Sequence, residues 1–168
     1  MQFVDEVTIR VQAGNGGNGC VAFRREKGNP LGGPSGGDGG RGGDIVLEAQ
    51  TRLSTLYDFR YRHEVKARGG ENGRGKDQYG AAGETVVLAL PVGTQVYDAE
   101  TDELIVDLDA PGKQFLVAQG GQGGRGNIHF ATPFDRAPRR SEPGQPGAVR
   151  DLRLELKLLA DVGVVGYP

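Results

Sequence analysis

The sequence predicts a mostly-β domain joined to a bundle of short glycine-rich polyproline II segments and carrying very little α-helix. Three observations carry this reading. Thirty of the 168 residues are glycine, against a usual share of about 7%. Those glycines fall in separate runs with a common period of three. Short β-rich stretches, several with alternating apolar residues, stand between the runs. Glycine is a poor helix former and few windows show helical periodicity, so a helical bundle or coiled coil is excluded. The length suits one domain with little left for a second.

The elements read in chain order as follows. Val7, Ile9 and Val11 alternate with Thr8 and Arg10, the pattern of a half-buried strand. Glycine runs follow at 14–19 and 33–43, where glycines recur at 33, 36, 39 and 42 and again at 37, 40 and 43. Asp44 to Ala49 is a short β-rich run. Leu53, Leu56 and Tyr57 are spaced for one helical turn. A third glycine run covers 69–75, and β-rich stretches follow at Glu84 to Leu90, Glu103 to Leu108 and Gln114 to Ala118. The fourth glycine run covers 120–126. Leu152, Leu154, Leu156 and Leu158 then alternate with Arg153, Glu155 and Lys157, a clean strand period.

A period of three is that of the polyproline II helix, which has no internal hydrogen bonds. Glycine at every third position gives each turn a bare edge, and two such edges can approach until Cα–H groups meet carbonyls. Flexible linkers favour Ser, Glu and Pro without a fixed phase; four in-phase runs argue instead for several short rods packed side by side.

The glycine runs also produce spurious motifs. G-x-G-x-x-G occurs from Gly14, Gly37 and Gly121. Dinucleotide chemistry needs a helix after it, and none of the residues following Gly19, Gly42 or Gly126 is expected to open one. Gly33 to Gly37 fits G-x-S-x-G, but a nucleophile elbow needs a strand before and a helix after, so a catalytic Ser35 is not expected. His63 and His129 have no cysteine pair to join in a zinc site. Asp98, Glu100, Asp102 and Glu103 lack the glycine of a calcium loop and read as a solvated hairpin tip. The apolar runs, about five residues long, fall short of the roughly 18 to 20 that span a bilayer. Met1 to Val11 lacks the apolar core of a signal peptide. Cys20 stands alone, so no internal disulfide is available and a reducing, cytoplasmic setting is expected.

The formal net charge of −2 conceals segregation. Residues 24–76 carry 11 basic and 7 acidic side chains, residues 77–118 carry 1 and 8, and residues 119–157 carry 7 and 4. Two basic segments flanking an acidic one point to an anionic partner for part of the surface. The basic residues cluster where glycine-rich runs turn back: Arg24, Arg25 and Lys27; Arg74 and Lys76; Arg136, Arg139 and Arg140. If the runs are parallel rods, these groups gather at one end, where Arg and Lys suit phosphates and Arg stacks on unpaired bases. The alternative is a protein-docking module that recruits regulatory proteins through the acidic stretch from Asp98 to Asp109. A free-standing enzyme is the weakest reading, because no catalytic constellation is legible.

Near the C-terminus an apolar stretch runs from Leu159 into Gly166, Tyr167 and Pro168, the order in which a strand enters a phosphate-binding loop. The second glycine, the lysine and the Mg²⁺-binding hydroxyl are absent, so this chain is expected to bind no nucleotide.

Taken together, Gly14-Asn-Gly-Gly-Asn-Gly19, Phe23-Arg-Arg-Glu-Lys27, residues 32–43, residues 120–130, Arg136-Ala-Pro-Arg139 and residues 154–168 resemble the Obg family of ribosome-associated GTPases. The resemblance covers essentially the whole chain. It departs at Ser35, where the family usually has Asp, and at Gly28, where a larger residue is usual. It implies a domain over residues 1–158 that combines six left-handed polyproline II helices with a β-barrel-like part. Residues 159–168 would then be the first strand and incomplete phosphate loop of a GTPase domain. The resemblance further implies binding to the large ribosomal subunit and its rRNA, and a role in subunit assembly and in growth or stress control. GTP and Mg²⁺ would be cofactors of the full-length protein, with none in this fragment. Lys27, Arg74, Lys76, Arg136, Arg139 and Arg140 match the family's basic loop tips, and Gly166, Tyr167 and Pro168 match the opening of its first guanine-nucleotide motif. A monomer is expected.

Overall fold

The computed structural model describes residues 3–24 and 32–158. Strands β1 (Phe3–Gln12), β2 (Ile45–Gln50), β3 (Glu64–Lys66), β4 (Val86–Pro91), β5 (Thr94–Asp98), β6 (Leu104–Leu108), β7 (Gln114–Ala118) and β8 (Val149–Leu158) form two sheets. One has the order β3-β1-β8-β5-β6 and the other β4-β2-β7. The leucine alternation of β8 explains its place. Leu152, Leu154 and Leu156 are buried while Arg153, Glu155 and Lys157 face outward. Antiparallel pairing sets Leu154 opposite Val7 and Leu152 opposite Ile9. On the other side Val96 of β5 also pairs with Leu154. These residues join Ile45, Leu47, Leu88, Leu90 and Val117 of the smaller sheet in one apolar cluster, so the core lies between the two sheets.

Six glycine-rich rods rise from this base: 13–24, 32–44, 67–75, 78–85, 119–127 and 138–148. None has a ladder of its own; their hydrogen bonds go to neighbouring rods at every third residue. Gly14, Gly17 and Cys20 donate to Gly43, Gly40 and Gly37. Ala13, Gly16 and Gly19 donate to Ala148, Gln145 and Glu142. Such bonds satisfy backbone groups that would otherwise be buried and unpaired, and the expected period of three is borne out.

The glycines mark the contact edges. Along the second rod, a Cβ built on Gly39 would lie 1.9 Å from the Gly17 carbonyl oxygen, and one on Gly42 1.8 Å from that of Gly14. On the other glycine phase, a Cβ on Gly40 or Gly43 would lie 2.1 Å from the Ala81 or Glu84 oxygen. The two phases seen in the sequence therefore face two different neighbours, the first rod and the fourth.

Strand pairing continues into the rods. The parallel β1–β3 pair passes into parallel rods, with Ala67, Gly70 and Gly73 donating to Gln12, Asn15 and Asn18. The antiparallel β1–β8 pair passes into the bonds between 13–24 and 138–148. Contacts between rods of different sheets, such as 13–24 with 32–44, weld the two sheets together above the core.

Several elements differ from expectation. The helical turn is a single 3-10 turn at Tyr57–Arg60, displaced toward the C-terminus. Its buried pair is Leu56 and Phe59, while Tyr57 is exposed. A second 3-10 turn, Asn127–Phe130, does follow Gly126; at four residues it is too short to act as a dinucleotide helix. Strands β3 and β5 were not anticipated. The stretch from Asp98 to Glu103 is a tight hairpin tip as expected, with Asp98 Oδ1 accepting the N–H groups of Glu100 (2.8 Å) and Thr101 (3.2 Å).

Candidate nucleic-acid interface

Each rod joins a strand at one end. The first leaves β1 and the second enters β2; the third leaves β3 and the fourth enters β4; the fifth leaves β7 and the sixth enters β8. The far ends of the rods therefore lie away from the base: Arg24 and Gly32, where the first and second rods end among the described residues, and the turn-backs at 75–78 and 127–138. The predicted basic groups within the described residues sit there together: Arg24, Arg74, Lys76, Arg136, Arg139 and Arg140. Arg25 and Lys27 lie outside the described residues, as do Gly166, Tyr167 and Pro168.

The tips are tied to one another. Asn127 is fully buried. Its Oδ1 accepts the N–H of Gly36 (2.8 Å) and of Ala22 (3.4 Å), while its Nδ2 donates to the carbonyls of Ala22 and Pro138, both at 3.0 Å. One amide thus uses both lone pairs and both hydrogens to join the first, second, fifth and sixth rods. The 75–78 turn-back is attached separately: Asp77 N–H donates to the Ser35 carbonyl at 2.8 Å, and the Asp77 carboxylate pairs with Arg24. Ser35 itself is buried, out of reach of a substrate. Asp38 Oδ1 accepts the Gly126 N–H at 2.8 Å and lies 2.8 Å from His129 Nε2.

The basic residues divide by partner. Arg24 is paired with Asp77, and Arg74 is paired with Glu71 at 3.0 Å. Lys76, Arg136, Arg139 and Arg140 are exposed and make no salt bridge among the described residues, Arg140 acting on the Glu142 carboxylate only at longer range. Arg140 lies 4.5 Å and Arg125 5.1 Å from the ring centre of Phe130, and Arg139 lies 5.9 Å from that of Phe23. Lys76 and Asp77 both adopt left-handed backbone, with φ of 60° and 58°. Side chains other than Asn or Asp occupy that region only at a cost. The tip therefore offers unpaired cations and planar groups on a braced scaffold, a surface suited to phosphates and bases.

Sequence reasoning missed Asn127, Phe130 and Phe134. A lone Asn after a glycine run reads as a turn residue, and its role depends on rods that only the fold assembles. The acidic alternative fares differently. Asp98 lies 3.8 Å from Arg150, and Asp102 is paired with Arg153, so part of the acidic stretch is neutralised by β8.

Among the described residues no group of three His, Cys, Asp or Glu side chains is placed to hold a metal ion. Gly166, Tyr167 and Pro168, the expected opening of a phosphate loop, lie outside the described residues. No described helix is long and apolar enough to cross a membrane.

Glycine-edged rods on a two-sheet base define a rod-and-base domain in which exposed basic groups are carried on the loop tips. A family model described as GTP1/OBG matches residues 4–158, and the chain belongs to that family. Over the whole chain it is 58% identical to the GTPase Obg of Sorangium cellulosum and 60% identical to that of an Anaeromyxobacter species. It is 61% identical to the GTPase Obg of Lactobacillus johnsonii over 99% of its length. It covers 49%, 48% and 39% of those relatives respectively, so it spans half or less of the proteins it resembles.

Proposed function

We propose that this chain is the ribosome-binding part of a GTPase, and that its rod tips contact rRNA of the large subunit. The observation that carries the reading is the convergence of the far rod ends at one end of the bundle, with Lys76, Arg136, Arg139 and Arg140 making no salt bridge among the described residues. A stiff rod can carry such groups into a folded RNA, where guanidiniums bind phosphates and stack on splayed bases. Arg24 and Arg74 act from their ion pairs, and Arg25 and Lys27, next to Arg24 in the sequence, are further contacts in this reading.

In this reading residues 1–158 are the binding domain and residues 159–168 begin the GTPase domain. Gly166, Tyr167 and Pro168 open its phosphate loop. GTP hydrolysis with Mg²⁺ belongs to the longer protein, as the relatives' name supports, and this chain has no catalytic role of its own. The protein acts in the cytoplasm, in assembly of the large subunit and in growth or stress control.

Co-sedimentation of the chain with purified large subunits at rising salt tests this. Binding should fall steeply as salt rises, because phosphate contacts release counterions. Changing Arg136, Arg139 and Arg140 to Ala should weaken binding and make the salt dependence shallower by about one unit of log–log slope per lost contact. Binding indifferent to both changes, but lost on charge reversal at Glu100 and Glu103, would move the site to the acidic hairpin.

A further inference from the structure

We propose that Phe134 is a stacking platform for an unpaired RNA base, so that the 127–138 tip selects single-stranded over duplex RNA; this rests on the RNA reading above and narrows it. Phe134 is completely exposed, at 100%, more so than Tyr79 beside the 75–78 turn-back, at 71%, and Phe23 and Phe130 each have an arginine partner. Its presentation is built. Thr132 N–H donates to the Asp135 carbonyl at 2.8 Å and Asp135 N–H returns the bond at 3.2 Å. Thr132 Oγ1 also accepts the Asp135 N–H at 2.9 Å, and Asp135 Oδ1 accepts that of Ala137 at 3.3 Å. These bonds close a tight turn with Pro133 and Phe134 at its apex, and Pro133 fixes its own φ.

The chemistry of the surroundings selects the ligand. Thr132, Pro133 and Asp135 are exposed beside the ring, so its neighbours in the turn add no large aliphatic side chain of the kind a protein-docking patch is built from. Two residues on stands Arg136, exposed and without a carboxylate partner among the described residues. An aromatic face with a guanidinium beside it matches a nucleobase and its phosphate. Inside an A-form duplex the base faces are already stacked on one another, so only unpaired bases can use the ring.

The chain contains no tryptophan, so Phe134→Trp provides a unique reporter at the apex. Titration of that variant with a short single-stranded RNA should quench its fluorescence, and a blunt duplex of the same sequence should not. Phe134→Ala and Phe134→Leu should each bind the single strand about tenfold more weakly and the duplex within about twofold of wild type. Each should unfold at the wild-type temperature, since the side chain buries nothing. Unchanged single-strand affinity in Phe134→Ala, or RNA binding without quenching in Phe134→Trp, would overturn the stacking role while leaving RNA binding intact. Retained affinity in Phe134→Leu would reduce the contact to an apolar one and also overturn it. Failure of the wild-type chain to bind any RNA would overturn both readings. A response of the reporter to isolated ribosomal proteins, with none to RNA, would make the tip a protein site.

Discussion

Asn127 concentrates more of the tip's organisation than any cation does. Replacing it by Asp keeps the shape but loses two donors, and it sets a carboxylate against the carbonyls of Ala22 and Pro138. An uncompensated buried charge of this kind costs about 3 to 5 kcal/mol, so urea unfolding of Asn127→Asp should show a loss of that order, smaller at acid pH where the group is neutral. Lys76 gives a prediction with two signs. Its left-handed backbone suits glycine, so Lys76→Gly should stabilise by up to about 1 kcal/mol and raise the melting temperature, while weakening RNA binding in the co-sedimentation assay. Strain retained at a binding residue is expected where function outweighs stability. Glycines divide equally sharply. Gly39→Ala drives a Cβ into the Gly17 carbonyl at 1.9 Å and should cost about 3 kcal/mol or more. Gly33→Ala meets nothing within 4 Å and should be near neutral in the same thermal unfolding experiment. The two glycine phases of 33–43 were legible in the sequence; which neighbour each phase faced was not, because that depends on rods that lie 16 to 41 residues away in the chain.

At the level of elements, alternation was the dependable signal. Val7–Val11 and Leu152–Leu158 announced their strands because one face of each is buried and the other wet. β3 escaped notice because three residues, with Val65 alone buried, carry no period. β5 escaped because only Thr94 and Val96 turn inward and Gly93, at φ 97°, breaks the run before it. The rods are joined by carboxylates and amides as well as by backbone. Asn15 and Asn18 Oδ1 each accept a sixth-rod N–H at 2.9 Å, from Gly147 and Gly144. Arg125 meets Glu142 at 2.7 Å between the fifth and sixth rods. That hydrogen bond holds the Glu142 carboxyl below its ordinary range, and Arg10 does the same for Asp151. For Asp44, burial pushes the carboxyl up, but the Gly120 N–H and Arg41 outweigh it and the net shift is downward. Depressed carboxylates stabilise fully above their unfolded values and lose that contribution as pH falls through the folded ones. Urea midpoints should therefore be flat near neutrality and fall below about pH 4, with a shallower acid slope in Arg125→Gln.

Over the whole molecule, basic residues occur in base and rods alike, but Lys76, Arg136, Arg139 and Arg140, which make no salt bridge among the described residues, are at the tip end. The clustering of basic groups at turn-backs was legible in the sequence, but their convergence required the three hairpins to point the same way, which follows from each rod beginning or ending on a strand of the base. Charge reversal at Glu100 and Glu103, on the β5–β6 hairpin, should leave RNA affinity within about twofold of wild type if the tips are the site, as measured with the same large subunits. One feature of the base governs how the molecule comes into being. β1 pairs with β8, and Ala13 bonds to Ala148 across 135 positions of sequence, so the first rod has no lasting partner on one side until the last has been synthesised. Long loops must close before such pairing is rewarded, which places folding in the slow range of milliseconds to seconds. A nascent chain whose β8 is still inside the exit tunnel therefore holds a first strand and rod that have been translated but not yet folded.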